Sequence, residues 1–217
     1  MKHAHNATGA ASTSATLLVG GRLAIDFANL RFPDGTNIAP HATYLAFVDF
    51  LAASAVVHAS SRPALLRLWE TAPEEAEGLL GNAAELQNAL RILFGARIDG
   101  AEIVPRQVEP INEILAHTEG YDHLEPLAEH TAGRPDWRLA LHARAQGLPW
   151  LLTAIARSAA GLIAEGPRAP IRKCANPGCG LFFYDDSRTG RRRWCSMAVC
   201  GNRAKVAAHY RREKNKS

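Results

Sequence analysis

Four cysteines constrain this chain more than any other feature, because Cys174, Cys179, Cys195 and Cys200 all fall in its last quarter and form two pairs of identical spacing. Each pair encloses four residues and fifteen residues separate the pairs, the layout of a structural zinc site in which two short loops meet in space. Two disulfides would use the same residues, but they persist only in an oxidising compartment. No export signal is read at the start, where Lys2 is followed by Ala, Thr and Ser and the apolar run Leu17–Val19 is cut by Gly20 and Gly21. The sequence therefore predicts a cytoplasmic protein with one structural Zn2+ held by four thiolates. Four thiolates fill a tetrahedral ion and leave no position for water, which argues against a catalytic metal.

Charge divides the chain at the same place. Residues 1–165 hold 12 Lys and Arg against 18 Asp and Glu, whereas residues 166–217 hold 13 against 3. A compact basic module on an acidic body is the footprint of nucleic-acid contact. At 217 residues and 47% hydrophobic, the chain can bury a core of its own. Asp26, Asp49, Arg67 and Arg157 interrupt its most apolar runs, so no segment reaches the roughly 20 apolar residues of a membrane span. A transmembrane protein is excluded.

The body reads as α+β and mostly helical. Residues 1–22, with His3 and His5, have no periodicity and are expected to be flexible. Leu23, Ile25 and Phe27 are large and apolar while Ala24, Asp26 and Ala28 are small or charged, the two-residue period of a strand. Pro33–Gly35 is turn material. Helical spacing predicts helices within 41–60, at 63–72, 74–97, 105–117 and from 148 to 163, and alternation predicts a second strand at 137–141. The body is thus bounded at 23–166, and the finger, treble-clef-like or zinc-ribbon-like, at 167–217.

Within the finger, Pro177 and Gly178 suit the central positions of a type II turn that brings Cys174 and Cys179 together. Leu181–Tyr184 and Arg191–Trp194 read as the two arms of a hairpin. Ser196 is a good helix N-cap, which places Cys200 in the first turns of a helix. Gly201 in that helix implies close backbone approach to the turn between the first two cysteines. Val199, Val206 and Tyr210 share one helical side and are expected to pack, with Lys205 and Arg212 roughly opposite. Arg191, Arg192, Arg193, Lys205 and Arg212 are the candidate contacts to double-stranded DNA, and five neutralised phosphates would give a salt slope of about −4.5. Arg203 lies on the cysteine side, and its expected role is structural, near the thiolates.

The body offers one candidate site. Asp26 and Asn29 could line a ligand pocket, although groups of this kind are commonly satisfied within turns and caps. Ser54, Ser60 and Ser158 sit in no nucleophile motif, and His117, His123, His130 and His142 lack metal-ligand spacing within one element. His209 is the finger's single histidine, too little for a nuclease. The chain is not read as an enzyme.

Arg192–Cys195 (Arg-Arg-Trp-Cys), Cys179–Gly180 and Cys200–Arg203 (Cys-Gly-Asn-Arg) together resemble the CGNR zinc finger. Leu23–Asn29 (Leu-Ala-Ile-Asp-Phe-Ala-Asn) and Leu86–Arg91 (Leu-Gln-Asn-Ala-Leu-Arg) resemble the ABATE domain that precedes this finger in a family of stress-induced bacterial transcription regulators. The resemblance implies a four-cysteine zinc site, DNA binding, and a body that serves as a sensor or interaction domain for a small-molecule or protein effector. Homodimerisation through the body would raise the affinity of a single small finger. The alternative is a zinc-stabilised protein-interaction module that does not touch DNA.

Overall fold

The computed structural model describes residues 18–30, 40–116, 120–126, 137–143, 148, 150–166 and 169–214. His3, His5 and the turn expected at Pro33–Gly35 lie outside the described residues. Seven helices are described, α1 (Leu23–Asn29), α2 (Pro40–Ala53), α3 (Arg62–Thr71), α4 (Pro73–Asp99), α5 (Pro105–Ala116), α6 (Trp150–Ala164) and α7 (Asn202–Lys214), with strands β1 (Gly120–Pro126), β2 (Trp137–Ala143), β3 (Ile171–Lys173) and β4 (Phe182–Tyr184). The fold is α+β, with a mostly helical body followed by a small two-stranded finger.

The long helix α4 has its boundaries written in the sequence. Pro73 opens it where no N–H is needed, Glu74 and Glu75 favour its positive end, and Gly100 closes it in the left-handed conformation with φ +70°. Strand β2 was expected, but its antiparallel partner β1, in register Leu124 opposite Leu139, was not.

Leu23–Asn29 is a helix, not the strand that alternation suggests. The two-residue reading assumes one wet face, yet Ala24, Ile25, Phe27 and Ala28 are all fully buried. With almost every side enclosed, polarity carries no period, and Ala24 and Ala28, four residues apart, let neighbouring helices come close. The Arg22 carbonyl accepts from the backbone of Ile25 (3.0 Å) and Asp26 (2.9 Å) to start the helix, and Ser158 of α6 accepts from Ala24 N–H at 3.1 Å.

Phe27 stands at the centre of the core, 6.0 Å from the Phe47 ring and 5.7 Å from that of Phe50. Burying each such side chain is worth about 1.5–3 kcal/mol. The same core continues into the finger through Ile171 and Phe182, and the Phe182 ring meets Phe94 edge-on at 5.9 Å. A second, smaller core gathers Cys174, Phe183, Cys195 and Cys200. Strand β4 is therefore a shared wall, since successive side chains of a strand face opposite ways.

The hairpin differs from expectation. Strand β4 pairs with β3 upstream, with Arg172 opposite Phe183, and not with Arg191–Trp194. The other edge of β4 is occupied by the amino-terminal segment: Tyr184 N–H donates to the Gly20 carbonyl at 2.7 Å. Residues 18–22, expected to be flexible, thus run beside the finger.

Candidate metal centre and basic face

Each cysteine is positioned by local backbone chemistry. Cys174 follows β3, and its N–H donates to the Leu181 carbonyl at 2.8 Å. The turn to Cys179 is closed by Cys179 N–H donating to the Asn176 carbonyl at 2.9 Å, which does put Pro177 and Gly178 at its centre. The left-handed residue is Gly180 (φ +71°) and not Gly178, so the turn is not type II. Ser196 caps the last segment by accepting from Val199 N–H at 3.4 Å, and Cys200 sits in one turn of π-helix, Met197–Gly201, that leads into α7.

The four sulfurs lie within 4.8 Å of one another. Sγ of Cys195 is 3.6 Å from that of Cys179 and 3.7 Å from that of Cys200. Disulfide sulfurs sit about 2.05 Å apart, whereas a tetrahedron with Zn–S bonds of about 2.3 Å has edges of about 3.8 Å. The thiols are free and the donor set fits one zinc ion. Burial, together with the neighbouring thiols of Cys179, Cys200 and Cys174, pushes the Cys195 thiol far above its ordinary range. A divalent cation at the centre removes that cost by pairing with the thiolates.

Two polar groups that the sequence analysis missed support this centre. Asn176 Oδ1 accepts from Gly178 N–H at 3.2 Å while its Nδ2 points at Cys200 Sγ, 3.6 Å away. Arg203, assigned that neighbourhood from sequence, is exposed. Asp185 is buried and gathers Ser187 Oγ (2.5 Å), Ser187 N–H (3.2 Å), Arg192 N–H (3.0 Å) and Arg172 Nε (2.9 Å). Burial alone would raise its pKa, but the Ser187 hydrogen bonds, the Arg192 N–H and the Arg172 charge outweigh it and hold the carboxyl below the usual range. The signal was available in Asp-Asp-Ser after a strand, a pattern that commonly turns on itself.

The arginine run splits. Arg192 lies over the Phe183 ring at 4.7 Å and donates to the carbonyls of Trp194 (2.9 Å), Tyr184 (3.4 Å), Val19 (3.4 Å) and Cys195. This guanidinium ties the finger's loops together and faces inward, so the expected DNA contact at Arg192 is not where the side chain points. Arg191, Arg193, Lys205 and Arg212 are exposed, with the Arg193 guanidinium 5.1 Å from the Trp194 ring centre.

Two further expectations change. Met197, Val199, Val206 and Tyr210 are exposed, so this side of the segment is not buried as the shared helical face suggests. A methyl group at Gly201 would meet the Met197 side chain at 2.8 Å and Trp194 at 3.4 Å, so its close neighbours are these and not the turn at Pro177.

Asp26 and Asn29 are both engaged in hydrogen bonds within the fold. Asp26 Oδ1 accepts from Gly20 N–H at 2.6 Å, and burial raises its pKa against these backbone hydrogen bonds. Asn29 Nδ2 donates to the Phe182 carbonyl at 2.8 Å, and Asn29 Oδ1 accepts from Phe182 N–H at 2.8 Å. Gln87 donates to the Phe27 (2.9 Å) and Leu30 (2.5 Å) carbonyls, and Arg91 to that of Ala28 (2.9 Å). The two stretches quoted for the body, Leu23–Asn29 and Leu86–Arg91, thus hold each other, and the first also holds the finger.

The CGNR zinc finger family matches residues 171–213. The ABATE family, described as "Putative stress-induced transcription regulator", matches residues 21–166. No curated protein matches the chain at a significant level. No helix among the described residues is long and apolar enough to cross a membrane.

Proposed function

Because the chain belongs to the ABATE family and ends in a CGNR zinc finger, we propose that it is a cytoplasmic zinc-dependent regulator that binds double-stranded DNA through phosphate contacts. The observation that carries this reading is the concentration of 13 basic against 3 acidic residues in positions 166–217, with Arg191, Arg193, Lys205 and Arg212 exposed. Zinc sets the shape of the finger, and Arg192 braces it from within. The body at 23–166 carries the sensing or pairing role, and a homodimer would place two fingers on one duplex. No catalytic residue is assigned.

Fluorescence anisotropy of labelled duplex DNA across a salt series tests this. Four phosphate contacts predict log affinity falling with log salt at a slope of about −3.6, and replacing Arg191 and Arg193 together by alanine brings it near −1.8. Absence of binding at low salt by folded, zinc-loaded protein overturns the reading. A second reading draws on the exposed apolar residues Met197, Val199, Val206 and Tyr210: the finger as a docking platform for another protein. Polar substitutions at Met197 and Val206 would abolish that docking and leave the salt slope intact.

A further inference from the structure

Two hollows meet where the body joins the finger. The larger, about 790 Å³, lies between the end of α4 and strand β3 and contains five cations, Arg97, Arg172, Lys173, Arg192 and Arg193, against one acid among its lining residues, Glu102. The smaller, about 490 Å³, is walled by Ile103, Val104, Pro105, Val108 and Ile163 and shares Arg97, Ala101 and Glu102 with the first. Both volumes are in the range of small-molecule sites. Arg172 is held by Asp185 and the Gly190 carbonyl, and Arg192 by its ring of carbonyls. Lys173 and Arg193 are exposed at the finger side of the larger hollow.

One hollow is cationic, its neighbour is apolar, and they share a wall. We propose that the pair binds a small amphiphilic organic anion, its acidic group against Lys173 and Arg193 and its apolar part over Ile103, Val108 and Ile163. A phosphate of the DNA backbone matches the first half of this chemistry and has nothing to place in the second. An occupant would touch α4, α5 and α6 of the body and β3 of the finger together, with Lys173 next to the metal ligand Cys174. It would also compete with DNA for Arg193. The proposal does not depend on DNA binding.

The test is titration of the full zinc-loaded chain, followed by backbone amide NMR, with octyl phosphate below its micelle concentration, inorganic phosphate and octyl glucoside. Octyl phosphate should bind at least tenfold more tightly than inorganic phosphate and shift amides on both β3 and α5, while octyl glucoside leaves them in place. K173E, at an exposed position, should weaken octyl phosphate at least fivefold without loss of zinc or melting temperature, and V108S should remove its advantage over inorganic phosphate. Equal binding of octyl phosphate and inorganic phosphate overturns the proposal, as does equal binding of octyl glucoside. If K173E weakens duplex DNA while octyl phosphate does not bind the parent protein, the cations serve the nucleic acid alone and the proposal fails.

Discussion

Replacing Asn29 by alanine tests whether the body and the finger are one cooperative structure. The Asn29 side chain pairs with both backbone groups of Phe182, at 2.8 Å each, and it is 8% exposed. Alanine leaves a buried N–H and a buried carbonyl without these partners, and each such group costs about 1–3 kcal/mol. The expected loss is about 2–6 kcal/mol, which for a chain of this length lowers the melting temperature by about 4–24 °C. Asn29→Asp is no rescue, because it sets a second acceptor oxygen against the Phe182 carbonyl. The assay is thermal and urea unfolding of the zinc-loaded protein, with hydrogen exchange at the Phe182 amide as the local readout. Asn112→Ala, at an exposed position on α5, should stay within about 0.5 kcal/mol. A loss below about 1 kcal/mol for Asn29→Ala, with Phe182 still protected, would refute the reasoning.

Arg192→Ala should lower stability by several kcal/mol and speed zinc release to a chelator, because it leaves inward-facing carbonyls without their charged donor, whereas Arg191→Ala should change neither and only weaken DNA binding. Asp185 has a depressed pKa in the folded state, so its contribution is present above the ordinary aspartate value of about 3.9 and is lost as pH falls through the lower folded value. The stability gap between the parent and Asp185→Asn should therefore be widest near neutral pH and narrow below about pH 4, as read from unfolding curves taken at each pH. Stripping the metal should lower the melting temperature of the body as well as the finger, since Phe182 and Ile171 belong to the body core; circular dichroism that shows an unchanged helical melt would contradict this.

The metal centre was legible because two equal cysteine spacings in a short stretch leave few arrangements other than one shared ion. The helices α3, α4 and α5 were legible too, for their apolar residues repeat against water. Legibility failed wherever a residue answers to a partner far along the chain. Alternation at Leu23–Phe27 imitates a strand because this helix is buried on nearly every side, and nothing local says so. Phe182–Tyr184 pairs upstream with β3 because its other edge meets Gly20, a residue more than 160 positions away. Arg191, Arg192 and Arg193 look alike in sequence, and only the carbonyls converging around the middle one separate a brace from exposed side chains. In sequence, Asp26 and Asn29 are candidates for a ligand pocket or for groups satisfied locally; in the structure Asn29 pairs with the distant backbone of Phe182, far from any turn or cap, and Asp26 accepts from Gly20 N–H.

The joining of residues 19–29 to residues 182–192 also bears on how the protein is made. Asn29 and Phe182 are 153 positions apart and Val19 and Arg192 are 173 apart, so the first helix emerges from the ribosome long before the strand that completes its surroundings. The core around Phe27 lacks Ile171 and Phe182 until the finger segment is released. The four cysteines lie in that same segment, so zinc can be held only after it has emerged. A nascent chain deprived of metal would keep an apolar face uncovered after the finger has emerged, the state that chaperones and proteases recognise.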